Sequence, residues 1–149
     1  MIRIWQKKTE SEGIPTQPGI PLLIKSLQNH HVPLVVATAT GRMQAIRSLE
    51  LSGLSSLTTH LVGGDEVEQP KPEPDIFLRA ASILGVRPQR CIAVEDSAVG
   101  IRAASDASML TILVPDLATP DSRTMETADY VLPSTENVSR VLLRFFGIA

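Results

Sequence analysis

The run Cys91-Ile92-Ala93-Val94-Glu95-Asp96-Ser97 constrains the fold more than any other stretch of this chain. Its first four residues are unbroken apolar, without the polar alternation of a half-solvated strand. Such a run reads as a strand buried on both faces, the condition met in a parallel sheet covered by helices. It ends in two adjacent carboxylates, then Ser97 and a small-residue helical stretch over residues 98–104. A strand's end is where side chains first reach water, and two repelling carboxylates there need a reason. Two readings stand. Glu95 and Asp96 can be oxygen ligands for Mg2+, or Asp96 or Ser97 can cap the following helix.

From about Pro18 onward, helical and strand patterns alternate. Helical spacing covers residues 20–27, 43–51 (stopped by Gly53), 75–84 (closed by Gly85) and 138–146. Short apolar strands fall at 33–38, 60–62 and 110–114, with a weak one at 130–132. This order predicts an α/β fold, a Rossmann-like parallel sheet with helices on both faces. Ligands of such sheets sit outside the carboxyl ends of the strands. With 149 residues, 43% of them hydrophobic, the chain can bury one core. A net charge of -2 with mixed signs carries no basic footprint, so neither nucleic acid nor a membrane surface is expected as a partner. No apolar run approaches the roughly 18 residues of a spanning helix. Residues 1–8 hold no signal-peptide core, and a cytoplasmic protein is expected. The one cysteine, Cys91, rules out a disulfide within the chain and reads as a small buried hydrophobe.

Two further segments carry chemistry. Thr38 closes the strand at 33–38 and is followed by Ala39-Thr40-Gly41-Arg42 at the start of a helix. A hydroxyl beside free amides at a helix N-terminus suits a phosphate group, with Arg42 reaching a more distant anion. A simple Thr cap is the competing reading. In Pro70-Lys71-Pro72-Glu73-Pro74-Asp75, three prolines fix alternate φ angles and present Lys71 on a stiff loop. A rigid ammonium can hold a phosphate and a carboxylate together; the alternative is a proline-rich connector with a solvated lysine.

Val36-Ala37-Thr38, Lys71-Pro72-Glu73-Pro74-Asp75-Ile76-Phe77 and Val94-Glu95-Asp96-Ser97-Ala98-Val99-Gly100 stand in the order of the second, third and fourth motifs of the haloacid dehalogenase-like superfamily, which the chain resembles. The likeness runs from about Pro18 to Leu132 and is nearest the phosphatases and β-phosphoglucomutase-like phosphomutases. It implies a Mg2+-dependent phosphoryl-transfer site acting on a small phosphorylated metabolite. Thr38 and Lys71 would be catalytic. The phosphate would be held by Thr38, Ala39, Thr40, Arg42 and Lys71, and the metal by Glu95 and Asp96. A response-regulator-like receiver is the competing fold, and it expects an Asp where the strand here ends in Thr38.

The family's first motif, a strand ending in Asp-x-Asp whose first Asp is the nucleophile, has no counterpart: no Asp-x-Asp occurs in the sequence. Pro115-Asp116-Leu117-Ala118-Thr119 imitates it faintly and reads as a loop. Residues 1–17 resemble the tail of a helical cap, with a hinge at 13–19, and 18–149 resemble the C-terminal part of the core. The missing strand would lie between those ending at Thr38 and Glu95. Its loss predicts exposed strand edges and self-association through them. Other outcomes are a substitute strand at Met1-Ile2-Arg3-Ile4-Trp5 or direct closure of the two flanking strands. The functional expectations are a phosphatase-type hydrolase inactive as this chain alone, a non-catalytic phosphate- or Mg2+-binding or regulatory module, or a half-enzyme completed in trans. Ser108, where relatives often carry Gly, is expected to pay on the order of 1 kcal/mol if it forms the left-handed stop of its helix.

Overall fold

The computed structural model describes residues 13–115 and 119–148. The proposed strand at Met1–Trp5 and the centre of the 115–119 loop lie outside the described residues, as does most of the segment read as a cap remnant.

Apolar spacing sets α1 (Ile20–Asn29), whose Leu23, Ile24 and Leu27 are buried. Then follow β1 (Val36–Ala37), α2 (Arg42–Leu51), β2 (Leu61–Val62), α3 (Asp75–Leu84), β3 (Ile92–Glu95), α4 (Ala98–Asp106), β4 (Leu110–Leu113), α5 (Ser122–Thr127), β5 (Tyr130–Val131) and α6 (Thr135–Phe145). The strands form two parallel sheets. One pairs β1 with β2, and the other runs β3-β4-β5, with Ile92 opposite Leu110 and Ile112 opposite Tyr130. No pairing joins β1 to β3 among the described residues. The flanking strands have therefore not closed on each other.

Two apolar cores hold the half-sheets in one layer. On one face, Ile76, Phe77, Ala80 and Ala81 of α3 and Ala103 and Ala104 of α4 pack with Val62, Ala93 and the half-buried Val35 and Ala37. On the other, Leu23 and Leu27 of α1 and Val138 and Leu142 of α6 pack with Ile112 and the half-buried Leu34 and Ile92. Each core draws side chains from both sides of the break. Complete burial of a residue such as Ile112 contributes about 1.5–3 kcal/mol. Covered on both faces, β4 is the most buried strand: Thr111, Ile112 and Leu113 are almost wholly shielded. The Thr111 hydroxyl and amide both donate to Asp129 Oδ2, at 2.9 and 2.7 Å, which fixes the approach to β5.

Helix ends differ from expectation where side-chain caps act. The last helix begins at Thr135 instead of 138, because Ser134 Oγ accepts the Asn137 amide. The unforeseen α5 lacks an apolar stripe and starts from Asp121, whose carboxylate accepts the Thr124 amide at 2.7 Å. The left-handed stop after α4 is at Ser108, with φ 63°. Among the described residues no helix is long and apolar enough to cross a membrane.

Candidate functional site

The carboxyl ends of β1 and β3 carry the predicted site residues, on opposite banks of the break between the sheets. On the β3 bank, the Lys71 ammonium forms an ion pair with Glu95 Oε1, and both side chains are about nine-tenths buried. The same ammonium lies 4.8 Å from the centre of the Phe77 ring, a cation–π contact. The loop delivering it turns through a hydrogen bond from the Glu73 amide to the Pro70 carbonyl at 2.9 Å, and its Lys71–Pro72 peptide is cis.

Glu95 takes a second donor, the Ser97 hydroxyl at 3.3 Å. Ser97 Oγ also accepts the Gly100 amide at 3.2 Å, so Ser97 is the cap of α4. Gly100 has its own reason. A Cβ there would fall inside the Glu95 carboxylate, so only glycine lets the helix pass so close. Asp96 is exposed and projects from the strand's end.

On the β1 bank, the Thr38 amide donates to Val62 and its hydroxyl accepts the Thr40 amide at 3.2 Å, a local turn. The start of α2 is already occupied. Asp65 Oδ1 accepts the Arg42 amide at 2.8 Å, and the Arg42 guanidinium donates to Glu66 Oε2 at 2.9 Å and to the Leu61 carbonyl at 2.8 Å. Arg42 thus braces β2 against α2. Glu66 also accepts the Gly63 amide at 2.8 Å, and that bond first, then Arg42, holds its carboxyl below the usual glutamate range. A Cβ on Gly64 would collide with the Ala39 carbonyl, and one on Gly63 would lie 2.7 Å from Asp65 Oδ1. These glycines let the β2 loop press on the Thr38–Arg42 turn.

The structure therefore brings Lys71, Glu95 and Ser97 together, with Asp96 adjacent. It sets Thr38, Ala39 and Thr40 on the other bank and turns Arg42 aside. A cavity of about 480 Å³ is lined by Glu95, Asp96, Ser134 and Thr135. A second, of about 310 Å³, is lined by Val36, Thr38 and Thr40. Gln17 borders both. Phe77, Ser97, Asp65 and Glu66 were not anticipated as parts of the site. Gly63-Gly64-Asp65-Glu66 directly after a short strand is the signal that could have found the last two.

Mg2+ needs several oxygen ligands around one point. Glu95 is engaged by Lys71 and Ser97, and among the described residues no group of three acidic, His or Cys side chains is placed to hold a metal. Asp96 alone is free to serve. One carboxylate does not complete a Mg2+ site, so the described residues do not fit the ion by themselves.

The described residues form a parallel α/β layer with a lysine–carboxylate pair and a hydroxyl at its strand ends, the place where ligands of such sheets sit. The chain belongs to the haloacid dehalogenase-like hydrolase family, whose sequence profile matches residues 1–114. It is 32% identical over 131 residues to hexitol phosphatase A of Escherichia coli, covering 88% of this chain and 59% of that protein. It is 30% identical to the phosphorylated carbohydrates phosphatase of Thermotoga maritima, over 70% of this chain and 48% of that one. The crystal structure of CbbY from Rhodobacter sphaeroides in complex with phosphate matches with a TM-score of 0.76 and 31% identity, over 85% of this chain and 58% of CbbY. The chain thus spans about half to three-fifths of the length of these relatives.

Proposed function

We propose that this chain is the phosphate-holding part of a haloacid dehalogenase-like phosphatase for a small phosphate monoester of the sugar-phosphate kind, and that these 149 residues bind the phosphoryl group without turning it over. The observation that carries the reading is Lys71: a buried ammonium anchored by Glu95 and Phe77 at the carboxyl end of β3. Held this way, its charge loses little rotamer freedom when an anion arrives. Thr38 supplies a hydroxyl from the facing bank. The named relatives support the substrate class: a hexitol phosphatase, a phosphatase of phosphorylated carbohydrates, and a CbbY structure in complex with xylulose-1,5-bisphosphate. Absence of turnover follows from the missing Asp-x-Asp, since no carboxylate of that motif can attack phosphorus. Mg2+ as cofactor rests on the family resemblance, with Asp96 the exposed carboxylate available to it. A cytoplasmic location belongs to the same proposal.

Titration of the chain with inorganic phosphate, followed by calorimetry, tests the binding half. Thr38→Val and Lys71→Met should each weaken binding by about tenfold or more. Equal affinity in all three proteins would remove the reading. The catalytic half fails if the pure chain with Mg2+ hydrolyses p-nitrophenyl phosphate and Lys71→Met abolishes that activity.

A further inference from the structure

We infer that the site takes a ligand with a single anionic group and an uncharged, hydroxyl-bearing remainder. Glu66 enforces this as a positioning residue, by holding the Arg42 guanidinium out of the ligand's reach. The inference deepens the proposed function and rests on it, since the one phosphoryl group is already assigned to Thr38 and Lys71.

An arginine four residues after Thr38, at the first position of α2, is the natural second cation for a doubly charged ligand. Its guanidinium goes elsewhere. The Val36 and Thr38 amides donate to the His60 and Val62 carbonyls, both at 3.0 Å. By the alternation of a strand, the Leu61 carbonyl between them points out of the other side of β2. Arg42 Nη1 donates to that carbonyl at 2.8 Å. No described strand lies beyond β2, so the guanidinium covers the outer edge of its sheet. Lys71 and Glu95 stand on the far bank, past β1.

Glu66 keeps Arg42 there. Its Oε2 accepts both the Gly63 amide at 2.8 Å and the Arg42 guanidinium at 2.9 Å, and its Oε1 lies 3.6 Å from Arg79 Nη2. The Gly63 bond fixes the carboxylate's place, because it closes the short turn Gly64–Glu66 on itself. The Glu66 side chain is 21% exposed and that of Arg42 45%. An isolated pair so placed contributes little. Here one carboxylate, anchored by the backbone, serves two guanidiniums. Arg42 leaving for a ligand would give up that charge and the Leu61 carbonyl together.

The surroundings of the strand ends agree. The cavity beside Glu95 is bordered by three carboxylates, Glu95, Asp96 and Glu136. The one beside Thr38 is bordered by hydroxyl residues, among them Thr40 and Ser48. No lysine or arginine is among the described residues lining either. A second phosphate in the first would face like charges, and in the second it would lose water without gaining a counter-charge. Neutral hydroxyls suit both: carboxylates accept their hydrogen bonds, and serine and threonine give and take them. Selectivity is thus built from a withheld cation as much as from contacts made.

The test is calorimetric titration of the full chain with fructose 6-phosphate and with fructose 1,6-bisphosphate. The parent should bind the bisphosphate no more than about twofold tighter than the monophosphate. Glu66→Gln keeps an acceptor for the Gly63 amide and drops the charge. In it the ratio of bisphosphate to monophosphate affinity should rise at least about fivefold. Adding Arg42→Met should cancel that rise, an outcome a merely structural role of Glu66 does not produce. The ratio is read within each protein, so a smaller folded fraction does not shift it. A parent that prefers the bisphosphate by more than that margin overturns the inference, as does a ratio unmoved by Glu66→Gln or a rise that survives Arg42→Met. Binding of neither ligand by the parent removes the functional reading and this inference with it; binding of both without those changes in ratio removes the inference alone.

Discussion

Replacing Lys71 with methionine removes one charge from a pair whose side chains are 9% and 10% exposed. Glu95 would be left with a single hydroxyl donor, Ser97 at 3.3 Å. Breaking a buried pair by deleting one partner costs about 3–5 kcal/mol, because the remaining charge stays desolvated. The lost contact with Phe77 adds about 0.5–2 kcal/mol, partly offset by the methionine stem, which keeps the packing of the lysine methylenes. We expect a net loss of about 3–5 kcal/mol in urea unfolding near pH 7, and a melting temperature lower by about 10 °C for a domain of this size. The double variant Lys71→Met with Glu95→Gln removes both charges. It should recover most of the loss and lie within about 2 kcal/mol of the parent, giving a coupling energy above about 2 kcal/mol. Should the single variant cost under about 1 kcal/mol, the pair behaves as a solvated surface bridge and the anchored-ammonium argument fails. Simple additivity in the double variant would refute it equally.

Gly100→Ala places a methyl inside the Glu95 carboxylate; it should destabilise by about 1–3 kcal/mol, and Glu95→Ala in the same chain should relieve most of that in urea unfolding. Ser108→Gly removes the penalty of a side chain at φ 63° and should stabilise by about 1 kcal/mol in the same assay. For Glu66 the folded pKa lies below the unfolded one, through the Gly63 amide and then Arg42. Its contribution is complete above the unfolded value and is lost as pH falls through the folded one. The unfolding free-energy gap between the parent and Glu66→Gln should therefore stay level above about pH 5 and shrink below about pH 4; a gap that does not change from pH 7 to pH 3 would refute that cause.

Local patterns were legible wherever a segment's own side chains decide its structure. The apolar run before Glu95, the glycine stops at Gly53 and Gly85, and the proline-led start of α3 depend on residues within one turn of each other. The left-handed Ser108 was readable for the same reason. What the sequence hid was pairing across distance. Arg42 looked like an anion ligand because it stands near a helix start behind a hydroxyl, yet Glu66 claims it from 24 positions away. Glu95 looked like half of a metal pair because Asp96 is its neighbour in sequence. On a strand, neighbours point to opposite faces, so Glu95 turns inward to Lys71 and Asp96 outward to water.

A different cause explains why α5 and the first turn of α6 went unseen. Both are started by side-chain caps, Asp121 and Ser134, and the opening residues carry no apolar period for a pattern to register. Two kinds of gap differ in what they leave to read. A missing motif can be read by inspection, since Asp-x-Asp is either written or not. A strand absent among the described residues leaves no letter behind, only backbone groups at Ala37, Ile92 and Val94 whose direction is known once the ladders on their far sides are seen. Those amides make the break in this sheet a physical object with measurable exchange rates, whatever the chemistry at Lys71 proves to be.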